Sequence, residues 1–232
     1  MKRSPILICP SVLAADFAHL GDEVQKAEAA GADCLHIDIM DGHFVPNLSM
    51  GPKIVAAINR STALPLHVHL MIYNPFDYVE RFVEAGADAI SFHFEATEDV
   101  EETLLFIRRC NARPGLAVNP ETPVSFLPRF LPLLDDIVIM TVNPGFGGQP
   151  FMSDSLERIR ETRHFVNSAQ RPKGVEPINI VVDGGITKQT SLACAQAGAN
   201  VLVSGTYLFS APDMAGAILE LREGARAVFG KE

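Results

Sequence analysis

The chain has 232 residues, 47% hydrophobic and 20% charged, with a formal net charge of −9. That length supports one large domain with a full core. The acidic balance, with no block of Lys or Arg, argues against a nucleic-acid partner. No apolar run reaches the ~18 residues that a membrane-spanning helix needs, so no membrane role is expected.

Cys9, Cys34, Cys110 and Cys194 are widely spread and show no Cys-x-x-Cys spacing. They are expected to be buried free thiols in a reducing cytoplasm. Lys2-Arg3 and the apolar residues from Ile6 onward have some character of a signal peptide. Pro5 and Pro10 interrupt that run, and the segment is needed as a first strand, so a cytoplasmic protein is expected.

Strand one is expected over residues 6–12 and its helix over 16–30. Strand two covers 34–40, where Leu35, Ile37 and Ile39 alternate with His36, Asp38 and Met40. Its helix is expected over 52–59. The next pairs fall at 66–71 and 75–84, then 89–94 and 99–110. Strand five is expected over 115–118, with a helix over 124–131 that Pro128 weakens. Strand six and its helix fall at 136–142 and 155–167, and strand seven and its helix at 178–182 and 189–196. The last pair is 200–204 and 214–229.

One phrase recurs at the helix-to-strand turns: Ala30-Gly31-Ala32-Asp33, Ala85-Gly86-Ala87-Asp88 and Ala197-Gly198-Ala199-Asn200. Each Gly is read as a left-handed helix stop. Eight alternating units in a single domain over residues 1–232 predict an α/β fold, a (β/α)8 TIM barrel, rather than a doubly wound open sheet.

In such a barrel the functional groups sit at the C-terminal strand ends. In chain order these ends carry Ser11, then His36, Asp38 and Met40, then His67, His69 and Met71. His93, Glu95, Asn119, Met140, Asn143, Asp183, Ser204 and Thr206 follow. A His and an Asp side by side in so apolar a strand form either an internal ion pair or half of a metal site, because burying an unpaired carboxylate is costly. His69 and Asp183 complete a set of two imidazoles and two carboxylates. His67, two residues before His69, is an alternative ligand. This set suits one divalent Zn, Fe, Mn or Co ion better than Mg²⁺ or Ca²⁺.

An acidic chain needs a local device to hold an anion. Gly145, Gly147 and Gly148 around Phe146, Gly184 and Gly185 after Asp183, and Gly205 before Thr206 supply three glycine-bearing loops late in the barrel. One such loop could simply be a tight turn, but three in adjacent units point to a phosphate site. Asp38 and Asp183 flank the barrel mouth from different strands. Inverting a carbon beside a carbonyl takes a proton from one face and returns one to the other, which calls for two such bases. A divalent cation stabilises the enediolate between those steps.

The runs from His36 to Asn47, His69-Leu70-Met71, Val142 to Gln149 and Val182 to Gly185 are similar to the signatures of the ribulose-phosphate 3-epimerase family. The resemblance extends from Ser11 to about Phe209. It implies a metal-dependent barrel that interconverts D-ribulose 5-phosphate and D-xylulose 5-phosphate, a small phosphoketose substrate, and association into homo-oligomers. It places the metal ligands on His36, Asp38, His69 and Asp183, the proton acceptor on Asp38 and the proton donor on Asp183. It places Ser11 and His69 against substrate, and Gly145, Phe146, Gly147, Gly148, Gly184, Gly185, Gly205 and Thr206 on the phosphate loops. Met40, Met71 and Met140 either line the reacting carbons or pack the core.

His67 stands where the family usually carries Asp, Thr141 and Thr206 where Ser is common. Asn119 to Pro123 and Met140 to Val142 are equally similar to allulose-6-phosphate 3-epimerases, so that hexulose phosphate is the alternative substrate. A decarboxylase on a related barrel would carry a Lys where Met40 stands. A silent sugar-phosphate-binding protein would have no use for both Asp38 and Asp183.

Overall fold

The computed structural model describes residues 5–169 and 176–231. Lys2 and Arg3 of the N-terminal segment lie outside them. The strands are β1 (Leu7–Pro10), β2 (Leu35–Met40), β3 (Leu66–Met71), β4 (Ala89–His93), β5 (Arg113–Val118), β6 (Asp136–Met140), β7 (Asn179–Asp183) and β8 (Val201–Ser204). All pair in parallel as one eight-stranded sheet in the order β1-β8-β7-β6-β5-β4-β3-β2. A bridge between Ser11 and His36 brings β1 back to β2 and nearly closes the barrel. The helices α1 (Leu20–Ala29), α2 (Pro52–Ser61), α3 (Val79–Glu84), α4 (Val100–Arg109), α5 (Ser155–Ser168), α6 (Lys188–Ala197), α7 (Thr206–Phe209) and α8 (Met214–Val228) lie between and after the strands.

The recurring phrase has a mechanical purpose. Its last residue clasps the neighbouring strand at two points. Asp33 donates its N–H to Ile8 O at 3.0 Å and accepts the Ile8 N–H on its carboxylate at 2.7 Å. Asp88 repeats this on Leu66 at 3.0 and 2.8 Å, and Asn200 on Ile180 at 3.0 and 2.9 Å. The preceding glycines have φ of +87°, +106° and +120°, a backbone region that side chains resist. Gly therefore ends each helix, and the Asp or Asn locks the register of the sheet.

Some boundaries differ from the expected ones. Residues 124–131 form no α-helix. They make 3-10 turns at Val124–Arg129 and Leu131–Leu133 instead, because Pro128 and Pro132 lack the N–H an α-helix needs. Helix one begins late, after a 3-10 turn at Phe17–His19 capped by Asp16. The helix after β3 likewise opens as a 3-10 turn at Pro75–Tyr78. The short α7 was not anticipated. Of the four free thiols, Cys9 and Cys194 are buried, but Cys34 and Cys110 are only half-buried.

Both faces of β2 and β3 are buried, as expected for parallel strands covered by helices. Their outward residues join the main core against the helices. Inside the barrel, Cys9, Ala117, Val138, Met140, Val181, Val201 and Val203 form a separate apolar cluster. It takes up the side built from β1 and β5 to β8. The β2–β4 side of the interior is filled by buried His36, His67, His69, Ser91 and His93. Among the described residues no helix is long and apolar enough to cross a membrane.

Because Asn performs the clasp at Asn200, Asp88→Asn is expected to be close to neutral. Asp88→Ala leaves the Leu66 N–H without its acceptor and is expected to cost about 1–3 kcal/mol. Urea unfolding of the two variants checks this, and equal losses would show that the clasp is not the cause.

Candidate active site

Strand periodicity and register build the site. In β2, alternation turns His36, Asp38 and Met40 inward. The β2–β3 register sets His69 beside Asp38 and Met71 beside Met40. Asp183 ends β7, and the main chain after it is held by Thr141. The Thr141 hydroxyl donates to Asp183 O at 2.9 Å and to Gly184 O at 2.5 Å.

His36, Asp38, His69 and Asp183 converge. One donor atom from each lies within 4.8 Å of all the others. His36 Nε2 is 3.2 Å from Asp38 Oδ1 and 3.5 Å from Asp183 Oδ2. His69 Nδ1 is 3.4 and 3.5 Å from the same two oxygens, and 3.3 Å from His36 Nε2. A tetrahedron with metal–ligand bonds of about 2.0–2.1 Å has edges of about 3.3–3.4 Å. The five distances that involve an imidazole nitrogen, 3.2 to 3.5 Å, match these edges, and with the N/O chemistry they suit a divalent ion of the zinc type. His67 does not join the set. Its Nδ1 lies 3.2 Å from His36 Nδ1, behind the ligand face, and its Nε2 has no partner.

The electrostatics agree with a site made for positive charge. Burial resists protonation of His36, but Asp38 and Asp183 outweigh it and raise its pKa to about 10. His69 is raised the same way, against burial, by bonds to Asp183 and Asp38. Burial would lift Asp38, yet His36 and His69 hold its carboxyl far below the usual range. Asp183 is also lowered: burial and the Asp38 charge oppose this, and the two imidazoles prevail. Burial keeps His67 and His93 neutral, His93 with a pKa near 4.

A cavity of about 430 Å³ opens over the cluster. Asp38 and Asp183 reach it, while His36 and His69 are fully buried behind them. Ser11, Met40, Met71, Met140, Gly145, Phe146, Gly147, Gly148, Gly184, Gly185, Gly205 and Thr206 also line it, whereas His67, His93, Glu95, Asn119 and Ser204 do not. Ser11 Oγ donates to Asp38 Oδ2 at 2.6 Å. Gln149 donates to the carbonyls of Asn143 and Phe146 at 2.6 and 2.8 Å, and Asn47 to that of Gly145 at 2.7 Å. A Cβ at Gly184, where φ is +117°, would meet Val142 Cγ2 at 2.4 Å. The glycines let the loops after β6 and β7 pack this closely.

The sequence places His93 and Glu95 at a strand end without giving them a role, and it gives no sign of Arg158. His93 touches His69, with 3.0 Å between their Nε2 atoms. Arg158, on α5, donates to Asn119 O at 2.6 Å and Met140 O at 3.2 Å and so ties the ends of β5 and β6. The His93-x-Glu95 spacing, like His36-x-Asp38, was the available signal for the first. Nothing in the local pattern marks Arg158.

A parallel barrel with an imidazole–carboxylate cluster beneath glycine-rich loops defines a class of phosphate-binding (β/α)8 enzymes. The Ribulose-phosphate 3 epimerase family matches residues 7–209. A ribulose-phosphate 3-epimerase of Chlamydia pneumoniae is 50% identical over 215 residues, 92% of each chain. Another, of Bacillus subtilis, is 45% identical and covers 94% of this chain and 98% of its own. The solved structure of KGPDC from Streptococcus mutans shares the fold at a TM-score of 0.68 and 11% identity, covering 98% of this chain and 100% of its own. The chain belongs to the ribulose-phosphate 3-epimerase family and is an isomerase of the epimerase type.

The pKa directions predict the pH dependence of the metal-free chain. His36 and His69 are raised in the folded state, so their contribution is complete below about pH 6.5 and is lost as pH rises through the folded value. His67 and His93 are lowered, so they cost stability below about pH 6.5, where the unfolded imidazoles protonate. Carboxylates Asp38 and Asp183, lowered in the fold, add to the loss at acid pH. Unfolding free energy in a chelator is expected to peak at about pH 6–7 and fall toward pH 9. A flat profile over that alkaline range, measured by urea unfolding, would contradict the charge assignment.

Proposed function

We propose that the chain interconverts D-ribulose 5-phosphate and D-xylulose 5-phosphate by a two-base proton transfer. The observation that carries this is the pair Asp38 and Asp183, brought from β2 and β7 to one cavity beneath three glycine-bearing loops. The name borne by the 50% identical relative supports the pentulose over the hexulose.

Asp38 takes the proton from the carbon beside the carbonyl, and Asp183 returns one to the opposite face. The roles exchange in the reverse direction. The Ser11 hydroxyl holds Asp38 Oδ2 and so orients the carboxylate. The phosphate lies against the loops of Gly145, Phe146, Gly147 and Gly148, of Gly184 and Gly185, and of Gly205 and Thr206. Gln149 and Asn47 occupy carbonyls of the first loop, which leaves its N–H groups to meet the anion. The apolar Met40, Met71 and Met140 exclude water around the reacting carbons.

His36 Nε2, His69 Nδ1, Asp38 Oδ1 and Asp183 Oδ2 would hold one divalent ion of Zn, Fe, Mn or Co. When bound, it would supply positive charge to the developing enediolate. Four free thiols support a cytoplasmic enzyme. Homo-oligomeric assembly, carried over from the family resemblance, belongs to the same proposal.

Asp183→Asn is expected to lower epimerisation by about 10²–10⁴-fold while solvent deuterium still enters the substrate on the Asp38 face. Full turnover in that variant would remove the two-base scheme. Side-by-side assays with ribulose 5-phosphate and allulose 6-phosphate are expected to favour the pentulose at least about tenfold in kcat/KM, or about 1.4 kcal/mol. A hexulose preference would reassign the substrate. His69→Ala should lower the bound metal below one ion per chain, and unchanged stoichiometry would exclude His69 as a ligand.

A further inference from the structure

Among the described residues, two buried polar atoms that lack a hydrogen-bond partner face each other directly behind the donor cluster. They are His93 Nδ1 and Glu95 Oε2, 3.5 Å apart. We infer that His93 and Glu95 are positioning residues that set the tautomer and orientation of His69, through a path from carboxylate to imidazole to imidazole. The inference rests on the proposed metal role of His69.

The path follows from the proton inventory of each ring. His69 turns Nδ1 to Asp38 and Asp183, at 3.4 and 3.5 Å. A lone pair at Nδ1 requires the ring proton on Nε2. That Nε2 lies 3.0 Å from His93 Nε2. The two rings are tilted by 20° with centroids 5.0 Å apart, which suits an in-plane bond from one ring edge to the other. His93 Nε2 must then accept, so the proton of His93 sits on Nδ1, opposite Glu95 Oε2. The other oxygen of Glu95 accepts the Asn119 N–H at 3.0 Å and the Thr122 hydroxyl. The end of β5 thus anchors the carboxylate, the carboxylate orients His93, and His93 orients His69.

A metal-binding histidine commonly donates its second ring N–H to a carboxylate or carbonyl, which fixes the tautomer and raises ligand basicity. Here one imidazole stands between the two. His36 lacks this support. Its Nδ1 meets only His67 Nδ1, and His67 Nε2 has no partner beyond it. Of the two imidazole donors, His69 is therefore the one backed by a negative charge.

Glu95→Gln tests this with Zn²⁺ as the probe. The amide cannot satisfy His93 Nδ1–H while also accepting from Asn119 and Thr122 as the carboxylate does. An NH2 turned toward His93 instead reverses the tautomers along the path. Competition against a chelator at neutral pH is expected to show Zn²⁺ bound about 10–100-fold more weakly. Ring ¹⁵N shifts should show the His69 proton leaving Nε2. Asp88→Ala, destabilised at the far end of the barrel, should keep the wild-type affinity and so controls for a general loss of stability. If Glu95→Gln does not fold, His93→Gln serves instead. Its amide oxygen keeps an acceptor at His69 but cuts the path to Glu95, and the same weakening is expected. Wild-type Zn²⁺ affinity in the folded variant would overturn the inference alone. A wild-type chain that binds no Zn²⁺ would overturn the metal role of His69 and the inference with it.

Discussion

Four donor groups in the dry interior of a parallel barrel must satisfy one another. Two carboxylates there would be strongly disfavoured alone, and two imidazoles would be neutral. Together they stabilise the charged forms. Burial disfavours the charged form of every member, and the oppositely charged partners prevail over it. The cluster can balance its negative charge with ring protons or with one divalent cation. A metal ion must displace those protons, which makes its binding pH-dependent. The rest of the structure serves to hold these four groups at donor spacing and to let a substrate reach only the carboxylate side.

The barrel meets that requirement by dividing its interior. The apolar cluster on β1 and β5 to β8 packs one side. The β2–β4 side carries the imidazoles, which differ in what they face. His36 and His69 face the carboxylates, whereas His67 and His93 lie one step behind and are kept neutral by burial. The same ring chemistry thus faces the carboxylates in one layer and stands neutral behind them in the next. The clasps at the far end fix the strand register, and register decides which ring meets which carboxylate, since one residue of slip would turn Asp38 out of the barrel.

Much of this was legible in the sequence because it is local. Alternation in β2 and β3 shows which residues share a face. The Gly-Ala-Asp and Gly-Ala-Asn phrases mark where each helix stops, and Pro128 weakens the fifth helix visibly. The cluster of His36, Asp38, Asp183 and either His69 or His67 followed from strand ends, because a barrel gathers every C-terminal strand end at one mouth. The glycine loops after β6, β7 and β8 were legible for the same reason.

What the sequence could not decide is distance across and around the barrel. His67 and His69 have the same residue type on the same face, and only the depth of each in the barrel decides which one meets the carboxylates. His93 and Glu95 were visible as strand-end residues, but their contact with His69 depends on how β4 lies against β3. Arg158 reaches the ends of β5 and β6 from a helix whose sequence shows nothing unusual. The sequence by itself determined the architecture and the placing of the glycine loops, and narrowed the donor set to His36, Asp38, Asp183 and His69 or His67, because periodicity and turn residues act within a few positions along the chain. The tertiary structure alone decided which nitrogen of each ring meets a carboxylate and which meets another ring, because that depends on side-chain rotation and on contacts between strands far apart in sequence.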